Sequence, residues 1–488
     1  MKFRSLLVLL AAVSFAAPLH LSDGADTQQA LDRISANSMR ANLSFLASDA
    51  LEGRATPSRG LEVAAEFIAA EFRKAGLAGP VDGGYFQSAD FYQLTRKNDG
   101  LSGTIKSEGE ELKLDSSSAA VVRGLAAADL DHVAIFKQSG DTVPDEIAGK
   151  AVVIEGRGAF SRLRSLQEKK PAIILTLGRG GRGGGQMPRT QLVASDQLSA
   201  PGAPTVALRG ESASKFFADL PDGLTKATLT IHVPAAEKNA VKLRNVIGLL
   251  PGSDPTLKGT YIIVTAHYDH LGMMPPGEGD RIYNGANDDG SGVVSVIELA
   301  GALASLHPRP KRSIVFMTVF GEEEGLYGSQ YYGRHPVFPL GKTVADVNIE
   351  QVGRTDDNEG PQVASATFTG FTYSDLPELF SDAGKETGVR VYDRNSGKDP
   401  YFARSDNQAL ADDGIPSHTV AVALEFPDYH KPGDEWEKID YANMALIDRM
   451  LGLGIISLAN DPETPKWNKE NPNTKKYIQA WQALHPAQ

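Results

Sequence analysis

The stretch YIIVTAHYDHLG, from Tyr261 to Gly272, joins a continuous apolar run to a cluster of polar side chains. A second apolar run, SIVFMTVF (313–320), follows it, and the connecting segment SGVVSVIELAGALASL has apolar residues at helical spacing. Continuous apolar runs are typical of strands that are buried on both faces of a parallel sheet. The order strand, helix, strand therefore predicts an α/β fold.

Two further apolar runs extend this pattern, namely TVADVNI (343–349) and HTVAVAL (418–424). We expect a mostly parallel mixed sheet that is flanked by helices and lies within residues 237–460. Ser291 precedes the helix between the first two strands, and we predict that its side chain caps that helix.

The sequence pattern changes between residues 119 and 236, where short apolar runs are separated by Gly, Pro and Asp. This pattern predicts a β-rich insert. The insert separates residues 25–118 from the α/β domain at 237–460, and residues 461–488 form a peripheral C-terminal tail. Within the insert, GRGGRGGGQMPR (178–189) lacks the Lys-Ser/Thr ending of a phosphate loop, so we interpret it as a surface loop.

Composition excludes several classes of function. The chain has 49 basic and 61 acidic residues, and its net charge of −12 disfavours general affinity for nucleic acid or anionic membranes. It has no cysteine, which excludes disulfides, thiol nucleophiles and cysteine-ligated zinc. A metal ion would therefore have to be held by His, Asp and Glu.

The N-terminus has the pattern of a secretory signal peptide over residues 1–16. Lys2 and Arg4 precede an apolar run, and Ser14-Phe15-Ala16 fits a small-residue cleavage site. We predict an exported protein, periplasmic or secreted. No later run approaches the roughly 20 apolar residues of a membrane span, so we do not expect the mature chain to span a membrane.

Polar side chains follow each predicted strand of the α/β domain. They are His267, Asp269 and His270 in HYDHLG, Glu322, Glu323 and Glu324 in GEEEGLYGS, Glu350 in NIEQVG, and His430 in YHKPGDE. The carboxyl ends of parallel strands lie at one edge of a sheet, so these side chains should converge there.

The adjacent pair Asp288-Asp289 lies in the connection between the first strand and its helix. Two divalent cations would explain why so many carboxylates are tolerated together. Imidazole and carboxylate donors suit zinc, and also manganese or cobalt. One aspartate would then bridge the two metals, and the other would brace the loop.

These motifs resemble peptidase family M28, whose members are mainly zinc aminopeptidases with a pair of co-catalytic metals. The resemblance covers about residues 40–115 and 240–460, from ASDALEGR through NVIGLLPGSDP to YHKPGDE. It implies the zinc-exopeptidase type of fold and two divalent metal ions, with zinc preferred. The β-rich insert resembles the protease-associated domain that this family often carries.

The resemblance implies five metal ligands and three catalytic residues. The ligands are His267 and Glu350 for the first metal, Asp288 between the metals, and Glu323 and His430 for the second. Glu322 would be the general base, Asp269 would orient the imidazole of His267, and Tyr429 would polarise the scissile carbonyl. The resemblance also implies a cis peptide bond between Asp288 and Asp289, and Glu350 stands where an aspartate is commoner.

The implied activity is that of an exported aminopeptidase acting on peptide or protein N-termini. A zinc carboxypeptidase remains an alternative, and it would need a basic pocket, for which Arg354 and Arg404 are available. A glutaminyl cyclase usually works with one metal, and a non-catalytic binding relative usually loses ligands or the base. Neither G-x-S-x-G nor H-E-x-x-H occurs in the chain. The sequence makes no prediction of oligomeric state.

Overall fold

The computed structural model describes residues 25–138, 145–155, 165–177, 190–198, 202–394 and 399–486. The predicted signal peptide and the loop 178–189 lie outside these ranges. Among the described residues, Ala89–Leu243 form one compact unit, the inserted unit, and the residues before and after it form the large unit.

The large unit is built on a mixed sheet. In spatial order its strands are Arg390–Tyr392, Ser365–Phe368, Ser417–Ala421, Thr343–Ile349, Tyr261–His267, Ser313–Val319 and the end of Glu237–Leu250. The central strand Tyr261–His267 runs parallel to both of its neighbours. Antiparallel pairs occur toward the edges, at Val246–Leu250 with Ser313–Val319 and between Ser365–Phe368 and Ser417–Ala421. The predicted fold class is confirmed.

Helices cover this sheet. They are Ala25–Leu31, Ala36–Leu46, Arg59–Lys74, Gly292–Ala304, Tyr327–Arg334, Leu376–Thr387, Asn407–Asp412, Tyr441–Asn460 and Lys475–Leu484. The expectation that no later run approaches the length of a membrane span was wrong for Tyr441–Asn460, which is long and apolar enough to cross a membrane. However, 78% of its apolar window is buried inside the structure, as in the core helix of a globular domain.

The start of the helix Gly292–Ala304 differs from the prediction. Ser291 already has helical backbone angles, and its side chain makes no capping hydrogen bond. Its Oγ instead donates to Asn287 O. The cap is provided by Asp289, whose Oδ1 accepts the N–H of Gly292 at 2.9 Å. The predicted serine cap was wrong because the residue already lies within the helical turn, where its hydroxyl bonds backward along the chain.

The C-terminal tail is partly helical. Trp467 stacks on Tyr477 of the helix Lys475–Leu484, with ring centroids 4.8 Å apart. Both aromatic side chains are buried, together with Tyr373 and Phe402. The tail is therefore docked through an aromatic cluster.

The inserted unit contains an eight-stranded sheet. In spatial order its strands are Glu110–Asp115, Ser102–Ser107, Gly223–Val233, Ala128–Gln138, Ala151–Glu155, Ile173–Leu177, Thr205–Leu208 and Ala119–Arg123. The unit also contains the helix Glu211–Ala218 and an antiparallel pair formed by Phe91–Thr95 and Thr190–Ala194.

This unit begins earlier than the predicted residue 119. The strand Ser102–Ser107 pairs antiparallel with Gly223–Val233, and Ile105 and Leu114 are buried in the same apolar core. These strands therefore belong to the insert, and pairing over such a sequence separation has no local signal. The identification of this unit as a protease-associated domain stays a prediction.

Candidate metal centre

The carboxyl edge of the sheet in the large unit carries the predicted site residues. His267 ends the central strand and is in parallel register with Val319, just before Glu322 and Glu323. Glu350 directly follows Thr343–Ile349. The sheet thus brings together residues that are far apart in sequence, as the strand order predicted.

One cluster contains His267, Asp288 and Glu350, whose ligand atoms all lie within 4.8 Å of one another. The Nε2 atom of His267 is 3.4 Å from Asp288 Oδ1 and 3.8 Å from Glu350 Oε1. An imidazole nitrogen and two carboxylates in this arrangement offer three of the donors that a tetrahedral zinc ion takes.

A second cluster shares Asp288 with the first. His430 Nε2 is 3.1 Å from Asp288 Oδ2 and 3.3 Å from Glu323 Oε2. Asp288 therefore directs one oxygen at each cluster, which is the position of a bridging ligand. The structure brings together all five residues that the resemblance implied as ligands.

His270 also belongs to the second cluster; we predicted its place at this edge of the sheet but assigned it no role as a ligand. Its Nδ1 is 2.8 Å from Glu323 Oε1 and 4.0 Å from Asp288 Oδ2, and these three residues form a second group of potential metal ligands. The available signal was its place in HYDHLG, but the resemblance assigned roles only to His267 and Asp269 of that motif.

Several polar atoms of the two clusters are buried and lack a hydrogen-bond partner among the described residues. They are His267 Nε2, both ring nitrogens of His270, Asp288 Oδ2, Glu323 Oε1 and His430 Nε2. Unpaired buried polar atoms are costly and call for an explanation. Ligand atoms that point at a shared cation lie close to one another without being aligned for hydrogen bonds. The residues present therefore fit divalent metal ions.

The electrostatics of the site agree with this interpretation. Burial opposes protonation of His430, but Asp288 and Glu323 raise its pKa to about 10. Burial likewise opposes protonation of His267, yet Glu322 and its other carboxylate neighbours raise its pKa well above the ordinary value. The clusters hold an excess of negative charge, which divalent cations would neutralise.

Glu322 lies at the edge of the first cluster, with Oε2 4.0 Å from His267 Nε2. Burial and the carboxylates of Glu350 and Asp406 raise its pKa well above the usual range, against the opposite effect of His267. A general base that works near neutral pH needs a shift in this direction.

Asp269 contacts both His267 and Glu322. His267 Nδ1 is 3.2 Å from the main-chain oxygen of Asp269 and 3.6 Å from its Oδ1, while that same Oδ1 accepts the N–H of Glu322 at 3.1 Å. Its carboxylate is fully buried. Asp269 can therefore orient the imidazole of His267 and fix the segment that carries the predicted base.

Tyr429 stacks on the ring of His430, with centroids 4.0 Å apart. Burial, followed by Asp288 and Glu350, raises the pKa of its phenol. The hydroxyl therefore keeps its proton at neutral pH, as a hydrogen-bond donor to a substrate would require. Arg404 Nη2 lies 3.4 Å from this hydroxyl.

Asp289 belongs to neither group of potential metal ligands. Its Oδ1 accepts the N–H groups of Gly292 and Gln351, and it therefore braces the segment that presents Asp288. The peptide bond between the two aspartates is cis, as the resemblance implied.

Comparisons with known proteins agree with these observations. The profile described as Peptidase family M28 matches residues 245–453. A vacuolar membrane protease of Talaromyces marneffei is 32% identical over 149 residues, which are 28% of this chain and 13% of the relative. A probable leucine aminopeptidase of Trichophyton verrucosum is 29% identical over 216 residues, which are 41% of this chain and 54% of the relative. The chain spans less than two thirds of the length of either relative.

The fold itself is shared with a solved structure. An aminopeptidase from Aneurinibacillus sp. strain AM-1 superposes with a TM-score of 0.56 at 20% identity, covering 88% of this chain and 95% of that one. This likeness concerns the fold, whereas the family match covers the segment that carries every predicted ligand.

Proposed function

We propose that the chain, whose residues 245–453 match the model of peptidase family M28, is a two-zinc aminopeptidase that hydrolyses the first peptide bond of peptides. The observation that carries this proposal is the position of Asp288, which directs one carboxylate oxygen at each of two clusters of imidazole and carboxylate groups. The relative from Trichophyton verrucosum, named a probable leucine aminopeptidase, supports the same activity.

Five side chains would hold the two ions. They are His267 and Glu350 on one side, Glu323 and His430 on the other, and Asp288 between them. When bound, such ions polarise a carbonyl and lower the pKa of a water molecule. They would also receive the free amino group of a substrate. Binding of that amino group is what would make the enzyme an aminopeptidase.

Glu322 performs the proton transfers in this proposal. Its carboxylate accepts a proton from the attacking water and then donates it to the nitrogen of the leaving amine. Asp269 accepts the backbone N–H of Glu322 and so fixes the base next to His267. The protonated hydroxyl of Tyr429 donates a hydrogen bond to the oxyanion of the tetrahedral intermediate.

A carboxypeptidase is the second candidate, and one observation favours it. Arg404 lines a small recess together with Glu350, Tyr401 and Tyr429, and the part of the chain that the structure describes offers it no carboxylate within ion-pair distance. Arg354 is different, because Asp356 and Asp428 already pair with it. Arg404 could therefore receive a substrate carboxylate.

We further propose that the chain is exported. The support is the basic start, apolar run and cleavage pattern of residues 1–16. Mass spectrometry of the natively expressed protein tests this. A mature N-terminus just after Ala16 is expected, and a native chain that retains Met1 or starts at another residue would contradict this prediction.

Hydrolysis of a panel of aminoacyl-p-nitroanilides tests the activity, with each substrate in a free-amine and an N-acetylated version. Cleavage of the free-amine substrates alone, abolished by a chelator and restored by zinc, is expected. Release of C-terminal residues from N-acylated dipeptides would instead identify a carboxypeptidase. Protein with two bound zinc ions that hydrolyses neither set, but converts N-terminal glutamine to pyroglutamate, would overturn the proposal in favour of a cyclase.

A further inference from the structure

The turn Asp49–Arg54 reaches the metal centre although it carries no predicted ligand and lies far earlier in the chain. Its last residue, Arg54, is only 1% exposed and has a positive φ of 49°. Gly53 precedes it with a φ of 68°, and a Cβ at that position would lie 2.4 Å from the main-chain oxygen of Gly272. The turn is therefore packed closely against the last residue of HYDHLG.

The guanidinium of Arg54 bonds to three separate segments. It donates four hydrogen bonds to main-chain oxygens: Nε to Tyr268 at 2.9 Å, Nη1 to Leu46 at 2.6 Å and to Asn284 at 2.7 Å, and Nη2 to Gly285 at 2.9 Å. The main-chain oxygen of Arg54 in turn accepts the N–H of His270 at 3.2 Å. Arg54 thus donates hydrogen bonds through its side chain and accepts one through its main-chain oxygen.

Two of these segments carry metal ligands. Tyr268 lies directly after His267, and Asn284-Gly285 begins the loop that leads to Asp288. Further from the ligands, the two segments are joined by the short antiparallel pair Gly272–Met273 and Ile282–Tyr283. Close to the ligands, Arg54 is a direct side-chain link between them.

The charge of Arg54 also interacts with the carboxylates around the site. Burial lowers its pKa, while the nearby carboxylates of Asp269, Asp434, Asp289 and Asp288 act in the opposite direction. Arginine stays charged in proteins. A permanent cation therefore stands behind the carboxylates, where it reduces their mutual repulsion before any metal binds.

We propose that Arg54 is a positioning residue of the metal centre, which holds the His267 and Asp288 segments in register and so sets the affinity for metal. This inference rests on the metal-binding part of the proposed function. It makes metal affinity depend on the segment 49–54, which lies outside the matched M28 region.

Lysine cannot replace Arg54 in this role. A guanidinium offers five N–H groups in a planar fork, and Arg54 uses four of them, whereas an ammonium offers three from one atom. Arg54→Lys keeps the charge but cannot link the three segments. Substitutions that disturb residues supporting metal ligands typically weaken metal affinity about 10- to 100-fold, and we expect a loss of that size.

Arg312 is a matched control. It is 2% exposed, and its guanidinium also donates four hydrogen bonds, to Thr260 Oγ1 and to the main-chain oxygens of Asp461, Pro462 and Glu463. It precedes the strand Ser313–Val319 and so lies at the opposite end of the sheet from the ligands. Arg312→Lys should lower stability and leave the zinc affinity unchanged.

The experiment is a zinc titration of the full chain in competition with a chromogenic chelator, without substrate. We expect weaker zinc binding in Arg54→Lys and wild-type binding in Arg312→Lys. Wild-type affinity in Arg54→Lys, or an equal loss in both variants, would overturn the proposal. A chain that binds zinc as expected but hydrolyses nothing would contradict only the proposed activity.

A measurement on the unaltered chain covers the case in which Arg54→Lys does not fold. Linkage is reciprocal, so a turn that raises metal affinity must itself be stabilised by metal. Zinc should therefore slow amide hydrogen exchange in segment 46–54 while exchange around Arg312 stays unchanged. Equal exchange in segment 46–54 with and without zinc would overturn the proposal.

Discussion

At the scale of single residues, the adjacent aspartates of the site have separate tasks. Asp288 directs its two oxygens at the two clusters, and Asp289 accepts main-chain N–H groups from Gly292 and Gln351. Asp434 complements them from the other side, because its carboxylate accepts the N–H groups of Asn287 and Asp288. Asp288, the proposed bridging ligand, is therefore held through its backbone, so that both carboxylate oxygens would be available to metal.

Glu322→Gln should separate catalysis from metal binding. Glutamine keeps the size of the side chain and removes the basic oxygen, so kcat/KM should fall by about 10² to 10⁴, the range of a lost general base. Zinc content should stay at two ions per chain. Steady-state kinetics together with metal analysis make the measurement. Glu324→Gln is the control, since Glu324 is exposed and lies outside both clusters; equal activity losses in the two variants would contradict the assignment.

His418 should make the chain sensitive to acid. Its ring is fully buried, with Nδ1 2.8 Å from Thr369 O and Nε2 2.6 Å from Ser374 Oγ. Burial lowers its pKa from the ordinary value of 6.5 to about 4. Below pH 6.5 the unfolded chain takes up a proton that the folded chain refuses, so folding stability falls as the pH drops toward 4, by about 3 kcal/mol at 1.36 kcal/mol per pKa unit.

Urea unfolding of wild type and His418→Asn between pH 7 and 4, in excess chelator, measures this effect. Asparagine can keep the hydrogen bond to Thr369 and does not titrate. The decrease in the free energy of unfolding over this range should be smaller in the variant by about 3 kcal/mol. Parallel pH profiles for the two proteins would show that the histidine does not titrate as expected.

At the scale of elements, the sheet was predictable and the supporting contacts were not. The run 343–349 coincides with the strand Thr343–Ile349, because a strand buried on both faces leaves an uninterrupted apolar pattern. His270 and Arg54 leave no such pattern, since their roles depend on which distant segments approach them. The early start of the inserted unit was missed for the same reason, because strand Ser102–Ser107 is recognised only through its pairing with Gly223–Val233.

Two glycines of one helix should respond in opposite ways to alanine. A Cβ at Gly292 would lie 2.2 Å from Ile349 O and 2.4 Å from Asp289 Oδ2, so Gly292→Ala should push the helix away from the strand end that carries Glu350. We expect a loss of about 1 to 3 kcal/mol in the free energy of unfolding, as for other overpacked sites, and weaker zinc binding.

Gly301→Ala is the control within the same helix. No atom lies within 4 Å of a Cβ at Gly301, and alanine is favoured over glycine in helices by about 1 kcal/mol. Its stability should therefore rise by up to about that amount with zinc affinity unchanged. Denaturant unfolding and zinc titration of both variants measure this contrast, and a Gly292→Ala chain as stable as wild type would refute the close approach.

At the scale of the whole molecule, the chain is two units with separate apolar cores. The core of the inserted unit is formed by its own strands and the helix Glu211–Ala218. The ligands, the predicted base and Arg54 all lie in the large unit. Metal should therefore stabilise one unit directly, because a ligand that binds only the folded form raises its stability by mass action.

The tryptophans allow this to be measured, since all three, Trp436, Trp467 and Trp481, lie in the large unit. In thermal unfolding, zinc at 100 times the Kd of a site should raise the stability seen by tryptophan fluorescence by about 2.7 kcal/mol for each ion bound. Far-UV circular dichroism also detects the strands of the inserted unit, so it should show a further component whose midpoint does not move with zinc. Metal-dependent shifts of equal size in both components would show that the two units unfold together, and no shift in fluorescence would contradict the metal centre itself.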